Sequence, residues 1–264
     1  MRASGERAEA LERARVFVAE RGAPLACLRV EVLTGRAAPE ETRGFLEALQ
    51  QPDGSFAPLD PRRPAGPVAA TLEGLWALAE LRVRRAPSVE RAVGFLSGAQ
   101  APDGSWSDAP GAPDAARIAP TGFVAGELAR SVYTRPQVLE AAGRFLAGHC
   151  GWQEPAAWED VAAQSVFFAN VAHDLADAVL QRCGRALEHG FRTGAFSGAR
   201  TARVLVLCDA RGLPGARLDP GELVAAILSE QRSDGGWPAD GDGSDAARVE
   251  ATLQAVLALV RLPG

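Results

Sequence analysis

Gln100-Ala-Pro-Asp-Gly104-Ser-Trp106 decides the fold, because it recurs along the chain. Fifty residues earlier stands Gln50-Gln-Pro-Asp-Gly54-Ser-Phe56, and near the C-terminus stands Gln231-Arg-Ser-Asp-Gly235-Gly-Trp237. Phe45-Leu46 and Phe95-Leu96 precede the first two copies, and Phe145-Leu146 continues the same interval. His149-Cys-Gly-Trp152 and His189-Gly-Phe-Arg-Thr-Gly194-Ala-Phe196 are weaker copies. After each turn an apolar segment begins with a hydroxyl: Thr71, Thr121, Ser165, Thr201 and Thr252. Self-similarity at a fixed period marks a repeat architecture.

Each repeat reads as two helices. Val89, Ala92, Val93, Leu96 and Ala99 fall at helical intervals, as do Leu72, Leu75, Leu78 and Leu81. Asp-Gly offers a positive-φ glycine that reverses the chain. Pro39, Pro87, Pro136 and Pro220 sit at helix starts, where a missing N–H costs nothing. About twelve helices are expected: 6–21, 24–34, 39–51, 66–83, 88–100, 114–131, 135–148, 156–173, 175–190, 198–211, 219–232 and 243–261. The second helix of each pair is apolar nearly all round and must be buried on both sides. One amphipathic and one buried partner per pair predict an all-α fold, a single-domain (α/α)6 barrel over 1–264 with two concentric rings.

Composition excludes whole classes of chemistry. The 264 residues carry a net charge of −5 and no basic stripe, which argues against nucleic-acid binding. All 28 basic side chains are arginine. Without an amine there is no Schiff base, P-loop lysine or lysine general base, and arginine stays protonated. The first twenty residues lack a secretory pattern, and no stretch reaches the roughly 18 apolar residues of a membrane span, so a cytoplasmic protein without stable membrane insertion is expected. Cys27, Cys150, Cys183 and Cys208 lie far apart within apolar surroundings and read as buried free thiols. A zinc site using Cys150 with His149, or Cys208 with Asp209, lacks ligand spacing.

The Gln-x-x-x-Gly-x-Trp motif after a Phe-Leu helix resembles the QW repeat of the squalene–hopene cyclase and protein-prenyltransferase superfamily. The motif is complete at 100–106 and 231–237, and Phe56 replaces Trp in the first copy. The Gln amide is expected to bind backbone of neighbouring helices while the ring packs over it. The resemblance implies a toroid with an internal cavity for a hydrophobic, often isoprenoid, ligand. It also implies an Asp-x-Asp-Asp-Thr acid at an inner-helix start, and this chain departs from it. Thr71 follows Pro67-Val-Ala-Ala70, and Thr252 follows Arg248-Val-Glu250-Ala251, which retains one carboxylate. Asp-Asp-x-x-Asp and the zinc-binding Asp-Gly-Cys of prenyltransferases are missing. Trp76, Phe123, Tyr133, Trp158, Phe167 and Phe168 are the aromatics on or near inner helices.

Candidate site residues follow. Glu250 is the expected acid, with Glu159 and Asp160, at the start of an inner helix, assisting or serving only the helix dipole. Asp114-Ala-Ala-Arg117 and Asp245-Ala-Ala-Arg248 repeat, each Asp placed to cap an inner helix and pair with its Arg. With Arg200 beside Thr201, these arginines could instead form a cationic rim for an anionic head. Trp76, Phe123, Phe167 and Phe168 would then hold the apolar tail. His149 and His173-Asp174 read as helix-end residues. Asp240-Gly-Asp242-Gly-Ser-Asp245 lacks the distal Glu of a calcium loop.

The expectation is thus a terpenoid-cyclase-like enzyme that cyclises or isomerises a hydrophobic isoprenoid or polyene by acid/base chemistry. No metal site and no cofactor are expected, with magnesium required only for a diphosphate substrate. The partner is a small molecule, and the chain a monomer or homodimer. The alternatives are a catalytically silent ligand-binding or interaction module, or a prenyltransferase-β-like protein with an exposed apolar face.

Overall fold

A computed structural model describes residues 2–149, 155–239 and 243–263, with side chains from residue 5 onward. Within them the chain is all-α. The helices are α1 (Arg2–Arg21), α2 (Pro24–Leu33), α3 (Pro39–Ala48), α4 (Pro67–Glu80), α5 (Pro87–Gly98), α6 (Asp114–Ala129), α7 (Pro136–His149), α8 (Trp158–Asn170), α9 (Ala176–Thr193), α10 (Gly198–Cys208), α11 (Pro220–Glu230) and α12 (Asp245–Arg261). Each matches an expected segment within a few residues at either end. Pro24, Pro39, Pro67, Pro87, Pro136 and Pro220 are first residues of their helices. Cys150, the Trp152 copy of the motif and Asp240–Asp242 lie outside the described residues.

The even-numbered helices form the interior. α4, α6, α8, α10 and α12 pack in succession, and α12 packs on α2. Each odd-numbered helix lies against even ones: α3 against α2 and α4, α7 against α6, α9 against α8 and α10. α1 contacts α2, α11 and α12, so the two ends of the chain meet. Burial follows this order. In α8, Val161 to Phe168 are buried without interruption, whereas α3 buries only Thr42 and Leu46.

The repeated motif joins successive pairs through three donors. The Gln50 amide donates to the carbonyl of Gly54 within its turn (3.1 Å) and to Ser88 at the start of α5 (2.8 Å). Gln100 does the same to Gly104 (3.0 Å) and Val138 of α7 (2.9 Å). Gln231 reaches Gly235 (2.9 Å) and Ala10 of α1 (2.8 Å), tying the C-terminal repeat to the N-terminal helix. Trp106 and Trp237, almost fully buried, donate their indole N–H to Leu96 and Ile227, 2.7 Å each. The inner-helix hydroxyls complete the joint. Thr71, Thr121 and Thr252 Oγ1 accept the backbone N–H of Phe56, Trp106 and Trp237, each at 3.0 Å. A buried hydroxyl thereby satisfies a buried donor that no helix could serve.

The glycine of each turn is required twice over. Gly54, Gly104 and Gly235 have φ of +93°, +91° and +89°. A Cβ on Gly104 would also collide with the Ala141 carbonyl of α7. Only glycine permits both the conformation and the approach.

Candidate active site

The interior holds a half-open cavity of about 830 Å³, within the range of small-molecule sites. Every even helix contributes to its wall: Arg29 from α2, Glu73, Trp76 and Glu80 from α4, Phe123 and Glu127 from α6, Trp158 from α8, Arg203 from α10, and Glu250 with Gln254 from α12. Arg63, from the loop before α4, joins them. The repeat places these residues. Glu73, Phe123, Arg203 and Gln254 each lie two positions after the hydroxyl of their repeat. Two positions on a helix are a rotation of about 200°, so if the hydroxyl faces the outer turn, the second residue after it faces inward.

The wall carries many charges where the resemblance implies a purely hydrophobic one. Eight arginines and five carboxylates line the cavity. Arg29, nearly buried, donates to both oxygens of Glu80 at 3.0 and 2.8 Å and to Glu250 at 3.0 Å, linking α2, α4 and α12. Burial opposes its charge, but the two carboxylates outweigh that and hold its pKa above the ordinary arginine value. Burial alone would raise Glu250. Arg29, with Arg63 at 3.9 Å and Arg203 further off, overrides it, and a hydrogen bond from Gln254 (3.1 Å) adds to them, so Glu250 is held below the usual carboxylate range. Glu73 goes the other way. Its pKa is raised by burial and then by the Glu250 charge, against a 3.4 Å contact with Arg63. At the C-terminal ends of the inner helices, Glu127 is buried, is raised by desolvation, and pairs with Arg84 at 2.7 Å and Arg130 at 3.8 Å.

The apolar part of the wall is an aromatic ladder. Trp76 meets Phe123 edge-on at 5.7 Å between centroids, and Phe123 lies 6.4 Å from Trp158. The Arg203 guanidinium sits over both indoles, 5.2 Å from the Trp76 ring and 5.8 Å from the Trp158 ring.

Of the residues expected from the sequence, the cavity gathers Glu250, Trp76 and Phe123. The others lie away from its lining, and local partners account for them. Arg117 pairs with Asp103 (2.5 Å) and Asp114, and lies over Phe145. Arg248 pairs with Asp234 (2.8 Å) and covers Phe17. Arg200 pairs with Glu159 (2.8 Å) across the face of Trp158. The expected cationic rim is therefore three separate ion pairs. Asp160 has its pKa raised by partial burial and by Glu159. Phe167 and Phe168 are core residues packed edge to face at 4.9 Å. Neither Asp114 nor Asp245 caps its helix, for each is the first helical residue. Pro113 precedes Asp114, Ser244 caps α12 through the Ala247 N–H, and Asp245 pairs with Arg21 (3.0 Å) rather than with Arg248.

His149 stacks on Phe145 and bonds Asp114 at 2.9 Å, while His173 Nδ1 accepts the Leu175 N–H in a turn. Cys183 and Cys208 are buried free thiols, and Cys27 is partly buried. Burial pushes the Cys183 thiol up to about 11 and Cys208 to about 12, which keeps them inert. Among the described residues no cluster of three metal-ligating side chains occurs, and no helix is long and apolar enough to cross a membrane. The large hydrophobic side chains exposed among them are Val16, Phe45, Val132 and Val260.

Arg29, Arg63, Glu73 and Arg203 were not among the expected site residues. Arg29, Glu73 and Arg203 each stand as a charge within an apolar stretch of an inner helix, as in Thr71-Leu-Glu73-Gly-Leu and Thr201-Ala-Arg203-Val-Leu, whereas Arg63, in the loop before α4, carries no such signal. Such a charge is costly to bury unless it has a use.

No family model matches the sequence, and no curated protein matches it significantly. The structure is similar to the crystal structure of a protein from Actinoplanes, with a TM-score of 0.60 at 18% sequence identity, covering 97% of this chain and 99% of that one. At that identity the likeness speaks for the fold alone.

Proposed function

We propose that the helix pairs close into a six-pair toroid whose interior is an active site that cyclises or isomerises an amphipathic substrate by proton transfer. Glu73 is the acid and Glu250 the base. The observation that carries this reading is the divergence of two neighbouring carboxyls in one cavity, one raised by burial and the other depressed by arginine. Titratable pairs pushed apart in this way separate the roles of acid and base. Glu73 would give its proton to a carbonyl, enol or activated alkene, and Arg63 would pair with the carboxylate left behind. Glu250 would take a proton from the rearranged substrate, so the reaction is proton-neutral. The aromatic ladder of Trp76, Phe123 and Trp158 supplies π faces for an electron-poor intermediate and an apolar wall for its body. The resemblance suggests a polyene or isoprenoid body.

The assignment of the acid differs from the sequence expectation for a physical reason. A carboxylate already hydrogen-bonded to Arg29 has no proton to give near neutral pH. The test is product analysis by gas chromatography–mass spectrometry after incubation with prenyl diphosphates, polyene alcohols and polyene acids. Turnover by the wild type, reduced at least hundredfold in Glu73→Gln with substrate binding kept, is the expected result. Full activity in Glu73→Gln would refute the assignment. The Arg29–Glu80–Glu250 network favours a second reading, a binding module, because its most buried charges satisfy one another. Ligand binding without any turnover across the same panel would establish it.

A further inference from the structure

Among the cavity-lining arginines that are not exposed to solvent, Arg203 alone has no ion-pair partner among the described residues. Arg203 takes part in no ion pair or side-chain hydrogen bond with the described residues. Its charge is compensated only at longer range by Glu250, Glu73 and Glu80, and burial lowers its pKa while leaving it a cation. Its neighbours differ. Arg29 has Glu80 and Glu250, Arg63 has Glu73 and Glu250, Arg84 has Glu127, and Arg130 has Glu127 and the Leu207 carbonyl. The indole N–H of Trp76, in the ring that Arg203 covers, is likewise buried with no acceptor.

We propose that Arg203, lying over Trp76 and Trp158, is the recognition site for a single carboxylate on the ligand. This deepens the preceding reading by naming the charge class of the substrate. The two indoles lie against the guanidinium at 5.2 and 5.8 Å, and its N–H fork, which no described residue engages, matches a carboxylate in two parallel hydrogen bonds. A monoanion fits the local charge. Of Arg29, Arg63 and Arg203, the first two each lie within 3.9 Å of glutamates that line the cavity, which leaves the Arg203 guanidinium as the one positive charge of the three without a direct carboxylate partner. A diphosphate would bring a larger negative charge beside Glu250 and Glu80. The apolar body would then lie on the ladder of Trp76, Phe123 and Trp158, with Leu257 and Leu205 also in the wall.

The experiment is calorimetric titration of wild type, Arg203→Met and Arg203→Lys with a branched polyene acid (farnesoic acid), dodecanoate and 1-naphthylacetate. Farnesol and farnesyl diphosphate are the comparisons, and tryptophan fluorescence is a parallel readout. The wild type should bind farnesoic acid at least tenfold tighter than farnesol. Arg203→Met should erase that preference while changing farnesol affinity less than twofold, and Arg203→Lys should keep part of it. Removing an unpaired, part-buried charge should also leave the melting temperature of Arg203→Met equal or higher, so a loss of binding is not a loss of fold. Equal affinity for acid and alcohol, a preference that survives Arg203→Met, tighter binding of the diphosphate, or no binding of any carboxylate would each overturn the proposal. Carboxylate binding without turnover would refute only the catalytic reading and leave this one standing.

Discussion

Replacing Arg29 by Met tests whether the charged interior is a mutually satisfied network. The Met side chain keeps most of the apolar stem, so packing changes little, but three hydrogen bonds of 2.8–3.0 Å to two carboxylates are lost. Removing one partner of a buried ion pair costs about 3–5 kcal/mol, because the other charge is left uncompensated. Glu80 retains no other ion-pair partner among the described residues, whereas Glu250 keeps the distant Arg63 and the Gln254 amide. For a chain of this size each kcal/mol moves the melting temperature by about 2–4 °C, which gives a fall of about 6–20 °C at pH 7. Circular dichroism melts and urea titrations at pH 7 and pH 4.5 provide the assay. The deficit should shrink at pH 4.5, where the stranded carboxyls take up protons. Arg29→Met combined with Glu80→Met should recover at least half the loss, since a buried pair can be exchanged for apolar groups at little cost. A single-variant loss below about 1 kcal/mol, or a double variant as unstable as the sum of its singles, would refute the network.

Three further outcomes are expected. Gly104→Ala should lower stability by about 1–3 kcal/mol in urea titration, from a positive φ and a collision with the Ala141 carbonyl. Gln231→Leu should cost about 1–3 kcal/mol by stripping the Ala10 and Gly235 carbonyls of a donor, and amide hydrogen exchange should rise first in α1. Glu73→Gln should gain stability over the wild type as pH rises. A raised carboxyl pKa contributes stability that is present below the unfolded value of about 4.3 and lost as pH climbs through the folded one. Melts of both proteins from pH 4 to pH 8 should therefore diverge upward for the variant, and parallel curves would show that Glu73 is not desolvated.

The repeat made most of the fold readable from the sequence. A motif whose Gln, Gly and Trp act through backbone geometry, and in which the backbone N–H of the aromatic residue meets a hydroxyl fifteen residues on, leaves the same trace each time it is used. Helix starts were readable because proline and glycine restrict φ locally. The site was readable only in part. Trp76, Phe123 and Glu250 were expected at the interior and line it, because they lie on helices apolar enough to be recognised as buried. Arg117, Arg200 and Arg248 stand beside helix starts in sequence, yet in three dimensions each falls within reach of a surface carboxylate and is neutralised there. A rotation of one or two residues about a helix axis separates the two outcomes.

What the sequence determined by itself was the periodicity: paired helices, turns that demand glycine, inner segments too apolar for solvent, and a chemistry without lysine. Those properties are local, set by backbone sterics and by which side chains water will accept. The tertiary structure alone decided which charges meet. Arg29, Glu80 and Glu250 come from helices separated by up to 221 residues, and their proximity sets the direction in which each carboxyl's pKa moves. It also decided that Arg203, one arginine among 28, lies over two indoles with no ion-pair partner among the described residues. Ionisation depends on the sum of neighbours in a low-dielectric space, and that sum exists only once the chain has folded.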